Sequence, residues 1–359
     1  MVIDFSNIKI LKEHGLSAIL KNMQSNTLTI KNIDLSNKEV VYGLLEACDI
    51  REIHVINMNL HGAKTTTHIF ANCSCSILDL SNFDGSQLHS AESMFSRSRI
   101  ENLVLGRFNT CNITTMKSMF IEALINNIDL SCMDTHKVID MSFMFSRFCT
   151  TGKLNFCNFN TSSVKDMTCM FQECRIYELD LRHLDTSNVT TMNSMFYNCR
   201  CKVLNITGFN TLRVTDMYRM FRGVTAKIIG LDSIDTSNVT DMTEMFAFVN
   251  IKEMNLSHFN TSNTVGMSLM FYNCCTSKLD LRGFNTSNVT DMSSMFRAAY
   301  INELNICNIL IGENTVTDAM FEFSFINKII LSKSDEYTYK RLIEQLKKDK
   351  FKGEIEIVD

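Results

Sequence analysis

The most regular chemistry in this chain lies in a column of side-chain oxygens. Asp79, Asp129, Asn155, Asp180, Asn205, Asn255, Asp280 and Asn305 each sit between two apolar residues. Such alternation is the pattern of a half-buried strand, which turns the polar residue outward. Paired strands of successive repeats would set these oxygens about 4.8 Å apart in a row. A row of carboxylates and amides suits a basic protein surface, and oxygen ligands also suit a hard cation such as calcium. Calcium takes about six or more converging oxygens, which a flat row does not supply, so a basic partner protein is expected and a metal is not. A solvated face, with Asp and Asn alternating to keep like charges apart, fits the same residues.

The outward columns on either side add Glu178, Arg182, Asp232, Glu253, Arg282 and Glu303. Over the three columns acidic side chains outnumber basic ones ten to five, a mildly acidic face. No aromatic residue falls in them, which argues against stacking on sugars or bases. Binding through this face is therefore expected to weaken as salt rises.

Other chemistries find little support. The chain shows no nucleophile paired with a base, no paired carboxylates in a pocket and, among its 13 glycines, no phosphate-cradling loop. No enzyme and no cofactor are expected. The pairs Cys73/Cys75 and Cys199/Cys201 lack a second pair at zinc-ribbon spacing. The fourteen cysteines read as reduced, buried small hydrophobes. Neighbouring repeats bring Cys48 near Cys73 and Cys174 near Cys199, leaving disulfides open to an oxidising compartment. Net charge is −4 and the pI about 6.1, without the basic excess of a phosphate-backbone binder. Asp4, Lys9, Lys12 and Glu13 interrupt any signal-peptide core. No apolar run is long enough to span a membrane, and a chain without proline has no Leu-Pro sorting motif. A cytoplasmic protein is expected, with cell-surface display by a route not visible in the sequence as the alternative.

What positions these residues is a repeat. A Met-Phe dipeptide ends at Phe95, Phe120, Phe145, Phe171, Phe196, Phe221, Phe246, Phe271, Phe296 and Phe321, with eight intervals of 25 residues and one of 26. Phe70, Leu45 and Leu20 continue the grid backwards. A fixed period of this size means a solenoid, in which no unit buries its core alone. In the unit ending at Phe196, Leu179 and Leu181 mark a short strand, and Asp185-Thr186-Ser187-Asn188 a corner. Val189, Met192, Met195, Phe196 and Cys199 recur at intervals of three and four, the pattern of a short helix. Two inward columns follow, Leu154, Leu179, Leu204, Ile229, Met254, Leu279, Leu304 and Phe156, Leu181, Ile206, Leu231, Leu256, Leu281, Ile306. A threonine column, Thr110 to Thr286, is expected to bond backbone groups that the corner leaves unpaired.

The expected fold is an α/β repeat solenoid, a right-handed superhelix with short parallel strands on one side and short helices on the other. About thirteen 25-residue units fill 1–331, those in 1–70 being divergent, and 332–359 forms a C-terminal cap of helix and strand. The first strand, Ile3 to Phe5, leaves an edge that a second copy could pair with.

The run Leu279-Asp-Leu-Arg-Gly-Phe-Asn-Thr-Ser-Asn-Val-Thr-Asp-Met-Ser-Ser-Met-Phe296 closely resembles the repeat of BspA-like leucine-rich-repeat proteins, and the match holds over nine units, from Phe95 to Phe296. The resemblance implies a leucine-rich-repeat-like superhelix that binds other proteins, with adhesion to host matrix proteins in some bacterial surface members. The expected function is a non-enzymatic protein–protein interaction scaffold acting through the polar, mildly acidic strand face. The alternative is a bacterial surface or virulence adhesin, or an effector, that binds host proteins.

Overall fold

In the computed structural model the chain is a parallel-strand β-solenoid of about thirteen turns with very little helix. Residues 1–4, 6, 26–35, 39–58, 63, 65–106 and 108–358 are described. Leu20 and Phe5 lie outside them. The chain divides into two compact units, Met1–Asn188 and Val189–Asp359.

The first unit holds strands β1 (Val2–Asp4), β2 (Thr27–Lys31), β3 (Val40–Tyr42), β4 (Glu52–Ile56), β5 (Thr65–Thr67), β6 (Ser74–Asn82), β7 (Arg99–Val104), β8 (Leu124–Ile128) and β9 (Glu178–Asp180). Its main sheet runs β1-β2-β4-β6-β7-β8, all parallel. The register equals the repeat: Leu28 faces Ile53, Ile53 faces Leu78, and Leu78 faces Leu103. Each pair stacks one apolar side chain on its equivalent, so one strand's burial stabilises the next. A second ladder, β3 with β5, continues as single bridges from Thr65 through Ser90, Thr115 and Asp140 to Asp166.

The second unit holds β10 (Val203–Asn205), β11 (Lys227–Ile229), β12 (Glu253–Met254), β13 (Cys275–Asp280), β14 (Tyr300–Asn305), β15 (Phe325–Ser332) and β16 (Glu354–Val358). Strands β12 to β16 pair in sequence order. Before β16 comes the helix α1 (Glu336–Lys348), started by Asp335, whose carboxylate accepts the Thr338 N–H at 2.7 Å. Leu342 and Leu346 pack its inner face. The expected terminal helix and strand are both present.

The expected short helices opposite the strands are not. In the coil around Phe120, Met119, Ile121 and Ala123 donate three residues back, to Met116, Ser118 and Phe120, each at 3.1 Å. The alternate N–H groups point along the stack instead, Ser118 to Ser142 at 2.9 Å, Phe120 to Met144 at 2.9 Å and Glu122 to Ser146 at 2.8 Å. Two residues per coil lie in the left-handed region, here Ser118 (φ 55°) and Glu122 (φ 57°), which breaks any continuous helix. Spacing of three and four is common to a helix face and to a run of tight turns. In so short a segment helix nucleation is unfavourable, and the coil-to-coil bonds win. The burial expected of this side does hold: Val189, Met192, Met195, Phe196 and Cys199 are all fully buried.

Within each unit the mark phenylalanines stack ring on ring. Phe95–Phe120 and Phe120–Phe145 have centroids 5.3 and 5.4 Å apart, and Phe246–Phe271 and Phe296–Phe321 5.9 and 5.6 Å, with nearly parallel planes throughout. The threonine column bonds across coils as expected. Thr261 Oγ1 donates to the Asn285 carbonyl at 2.9 Å and accepts the Asn285 N–H at 2.8 Å.

One coil slips register. Leu204 faces Ile228, so Ile228 and not Ile229 takes the inward slot, and Ile229 faces solvent, 38% exposed. Gly230 (φ 86°) and a 3-10 turn at Leu231–Ser233 absorb the spare residue before Ile234 rejoins the core. Leu231 is therefore only half-buried, and Asp232 sits on that turn instead of on a strand.

Candidate functional site

The outward oxygen column is engaged in the fold. Asp79 accepts the Ser81 N–H at 2.9 Å, Asp129 that of Ser131 at 2.9 Å, and Asn155 that of Cys157 at 3.0 Å. Asp180 takes Arg182 N–H at 3.3 Å, Asn205 takes Thr207 at 3.1 Å, and Asn255 takes Ser257 at 3.1 Å. Asp280 and Asn305 do the same with Arg282 at 3.1 Å and Cys307 at 3.2 Å. Each closes the turn where the chain leaves the strand side, the role for which short Asx side chains are suited. The repeat thus selects Asp and Asn at this position for a corner. Asp129, Asn155 and Asn255 lie outside the strands yet make the same bond.

The charges beside that column pair among themselves. Arg182 closes on Asp180 at 2.8 Å and Arg282 on Asp280 at 2.7 Å, each across its own corner. These guanidiniums hold both carboxyls below the ordinary carboxylate range. In the second unit Glu253, Lys278, Glu303, Lys328 and Glu354 stand opposite one another down the sheet, alternating in sign. Lys278 meets Glu303 at 2.8 Å, and its ammonium lowers the Glu303 pKa. That stretch is a neutralised ladder, not an acidic stripe. Nor is the strand side free of aromatics: β14 and β15 begin at Tyr300 and Phe325, which stack at 4.8 Å and are 47% and 62% exposed.

The opposite, turn side carries a denser group of interface-type residues in the second unit. Glu244, buried to 9% side-chain exposure, accepts Arg219 at 2.5 Å and Arg222 at 2.6 Å. Arg222 lies over the Phe248 ring at 4.5 Å and donates to the Tyr197 hydroxyl at 3.0 Å. Arg219 covers Tyr218 at 4.5 Å, and Phe248 meets Tyr272 edge-on at 5.0 Å. Desolvation pushes the Tyr218 phenol up, and the Glu244 bond pushes the Arg219 guanidinium up. The cluster is rigid, because each guanidinium is held by a carboxylate and a ring at once. The same columns in the first unit hold a chain of ion pairs, Arg97–Glu122–Arg147–Glu173, at 3.1, 3.4 and 3.2 Å. The strand-face residues did not point to this ridge. Its signal was the pair of positions following each phenylalanine mark, where Tyr197, Arg222, Phe248 and Tyr272 stand.

Among the described residues, no group of three or more His, Cys, Asp and Glu gathers as a metal site, and no helix is long and apolar enough to cross a membrane. Burial pushes the Cys75 and Cys274 thiols up to about 12, so neither is a thiolate at neutral pH.

No curated protein and no solved structure matches the chain. A family model described as Mycoplasma protein of unknown function, DUF285, matches three overlapping stretches, 64–155, 134–228 and 221–329. Together these cover well over half of the 359 residues, each stretch holding several coils of the solenoid, and the chain belongs to the DUF285 repeat family.

Proposed function

We propose that this protein is a non-enzymatic interaction scaffold that docks another protein. The observation that carries the reading is the ridge of Tyr197, Tyr218, Arg219, Arg222, Phe248 and Tyr272. Tyrosine, arginine and phenylalanine held rigid at a surface are the composition of binding hot spots. The repeated Asp, Asn, Thr, Met and Phe residues are spent on the stack, which leaves only the variable exposed columns to differ from coil to coil. The strand face is the other docking surface, with Glu178, Glu253, Glu303 and the exposed Tyr300–Phe325 pair as its contacts. Photo-cross-linking in the source cells separates the two. A benzophenone amino acid replacing Tyr272 is expected to trap a discrete protein, and one replacing Tyr177 on the strand side to trap less of it. A chain that cross-links to nothing from either position is not a scaffold.

The BspA-like resemblance supports a narrower reading, an adhesin or effector that meets host proteins outside the cell. Cys157 and Cys275 are exposed. A membrane-impermeant maleimide applied to intact cells should label them if the protein is displayed, and labelling only after lysis rules the adhesin out.

A further inference from the structure

The coil-to-coil ladder of the second unit ends at the coil of Phe321. In successive coils the second residue after the phenylalanine mark donates its N–H to the next coil. Asn198 reaches the Arg222 carbonyl at 2.7 Å, Phe248 that of Tyr272 at 2.8 Å, Asn273 that of Arg297 at 2.9 Å and Ala298 that of Glu322 at 2.9 Å. After Phe321 the chain runs through β15 into α1 and returns as Asp349, Lys350 and Phe351. This return replaces one rung: the Asp349 carboxylate accepts the Phe321 N–H at 2.9 Å, and the Phe351 ring lies 6.5 Å from that of Phe321. It does not replace the next rung. Among the described residues the Phe323 N–H, the equivalent donor, has no acceptor, as is true of the Thr317 and Ala319 N–H groups earlier in this last coil, and beside Phe323 the Ser324 hydroxyl is buried without a hydrogen-bond partner.

A cleft of about 810 Å³ opens at this point, between residues 321–327 and 348–354. Phe323 and Phe325, 65% and 62% exposed, are the two most exposed large apolar side chains among the described residues. Their exposure costs solvation free energy that an occupant would recover. The acids of the cleft are mostly engaged: Glu322 pairs with Arg297 at 3.0 Å, and Asp349 also accepts from Gln345 at 2.9 Å. Lys348 pairs with Asp318 at 3.0 Å, which leaves Lys350 and Lys352 without an ion pair among the described residues.

We propose that this cleft binds a short acidic peptide segment of a partner protein, which completes the open rung at Phe323. A backbone carbonyl of the segment accepts the Phe323 N–H. An aromatic or large aliphatic side chain covers Phe323 and Phe325, and an Asp or Glu meets Lys350 and Lys352. The volume lies within the range of pockets that enclose small ligands. The mode is a variant of strand addition, in which main-chain bonds give affinity and side-chain contacts give specificity. This site is independent of the Tyr197–Tyr272 ridge and stands whether or not that ridge binds a protein.

The test is selection of a displayed random heptapeptide library against the full chain, followed by anisotropy measurements on the enriched peptides. The expected consensus pairs Asp or Glu with an aromatic or aliphatic residue. Affinity should fall at least tenfold for Phe323→Ser and several-fold for Lys352→Glu, both exposed positions whose changes leave circular dichroism unchanged. The Phe323 amide should gain hydrogen-exchange protection when peptide is bound. No enrichment, a consensus without acids, or full affinity in Phe323→Ser would overturn the proposal. So would a wild-type dimer that Phe323→Ser makes monomeric, because a second copy would then be the occupant.

Discussion

Ala298 shows what a single residue contributes to this solenoid. It sits at φ 54°, and Ser294, at φ 55°, precedes it in the same coil. An L-residue in the left-handed region costs roughly 1 to 2 kcal/mol, which the coil-to-coil bonds on either side must offset. Glycine removes that cost and adds chain entropy, whereas a β-branched residue worsens it. Ala298→Gly is expected to raise stability by up to about 1 kcal/mol and Ala298→Val to lower it by about 1 to 2 kcal/mol, read from urea unfolding. Thr261→Val leaves the part-buried N–H and C=O of Asn285 without this partner, and should cost about 1 to 3 kcal/mol, with Thr261→Ser recovering most of it.

Charge at the corners sets a pH dependence. Asp180, Asp280 and Asp129 have folded pKa values below their ordinary range, the first two through their arginines and Asp129 through Ser131. Their stabilisation is therefore complete above the unfolded pKa, about 3.9, and is lost as pH falls through the folded values. Asp4, bonded to Ser6 and Asn32 and lowered to about 2, follows the same sign. The urea midpoint should hold steady from pH 7 to 5 and then drop towards pH 3, with a smaller drop in Arg282→Gln. A midpoint that rises on acidification would contradict these assignments.

At the scale of elements, the core was legible and the backbone that carries it was only half so. The inward strand columns, the threonine corner and the burial of the Met-Phe face follow from apolar spacing and side-chain hydrogen-bonding capacity. Helix and turn are not separable by spacing alone, because left-handed residues such as Ser118 and Glu122 carry no compositional mark when they are not glycine. Circular dichroism checks this directly: α1 spans 13 residues, so the 222 nm signal should be weak, far below that of a helix in every coil. The slip at Ile228 was hidden by two adjacent isoleucines, either of which fits the slot. Its anchor is Gly230, where an added Cβ would come within 2.4 Å of the Thr207 nitrogen. Gly230→Ala should therefore destabilise by about 2 kcal/mol or more, a cost that a simple loop substitution would not incur.

For the whole molecule, the repeat explains both what could be read and what could not. A stack whose every unit contacts mainly its neighbours gains stability in nearly equal steps, so the residues that recur are those the stack itself requires. The Asp and Asn column looked like a binding surface for that reason, and its side chains proved to close corners. The proposed function falls to positions whose residue types vary from coil to coil, such as Phe248 and Tyr272, so the period marks their place but not their role. The interaction reading turns on those two side chains, and the most direct measurement is the affinity of the cross-linked partner for Phe248→Ala and Tyr272→Ala chains. Removal of two hot-spot rings should weaken binding at least tenfold for each, about 1.4 kcal/mol or more, with the unfolding midpoint little changed. Full affinity in both variants would contradict the account.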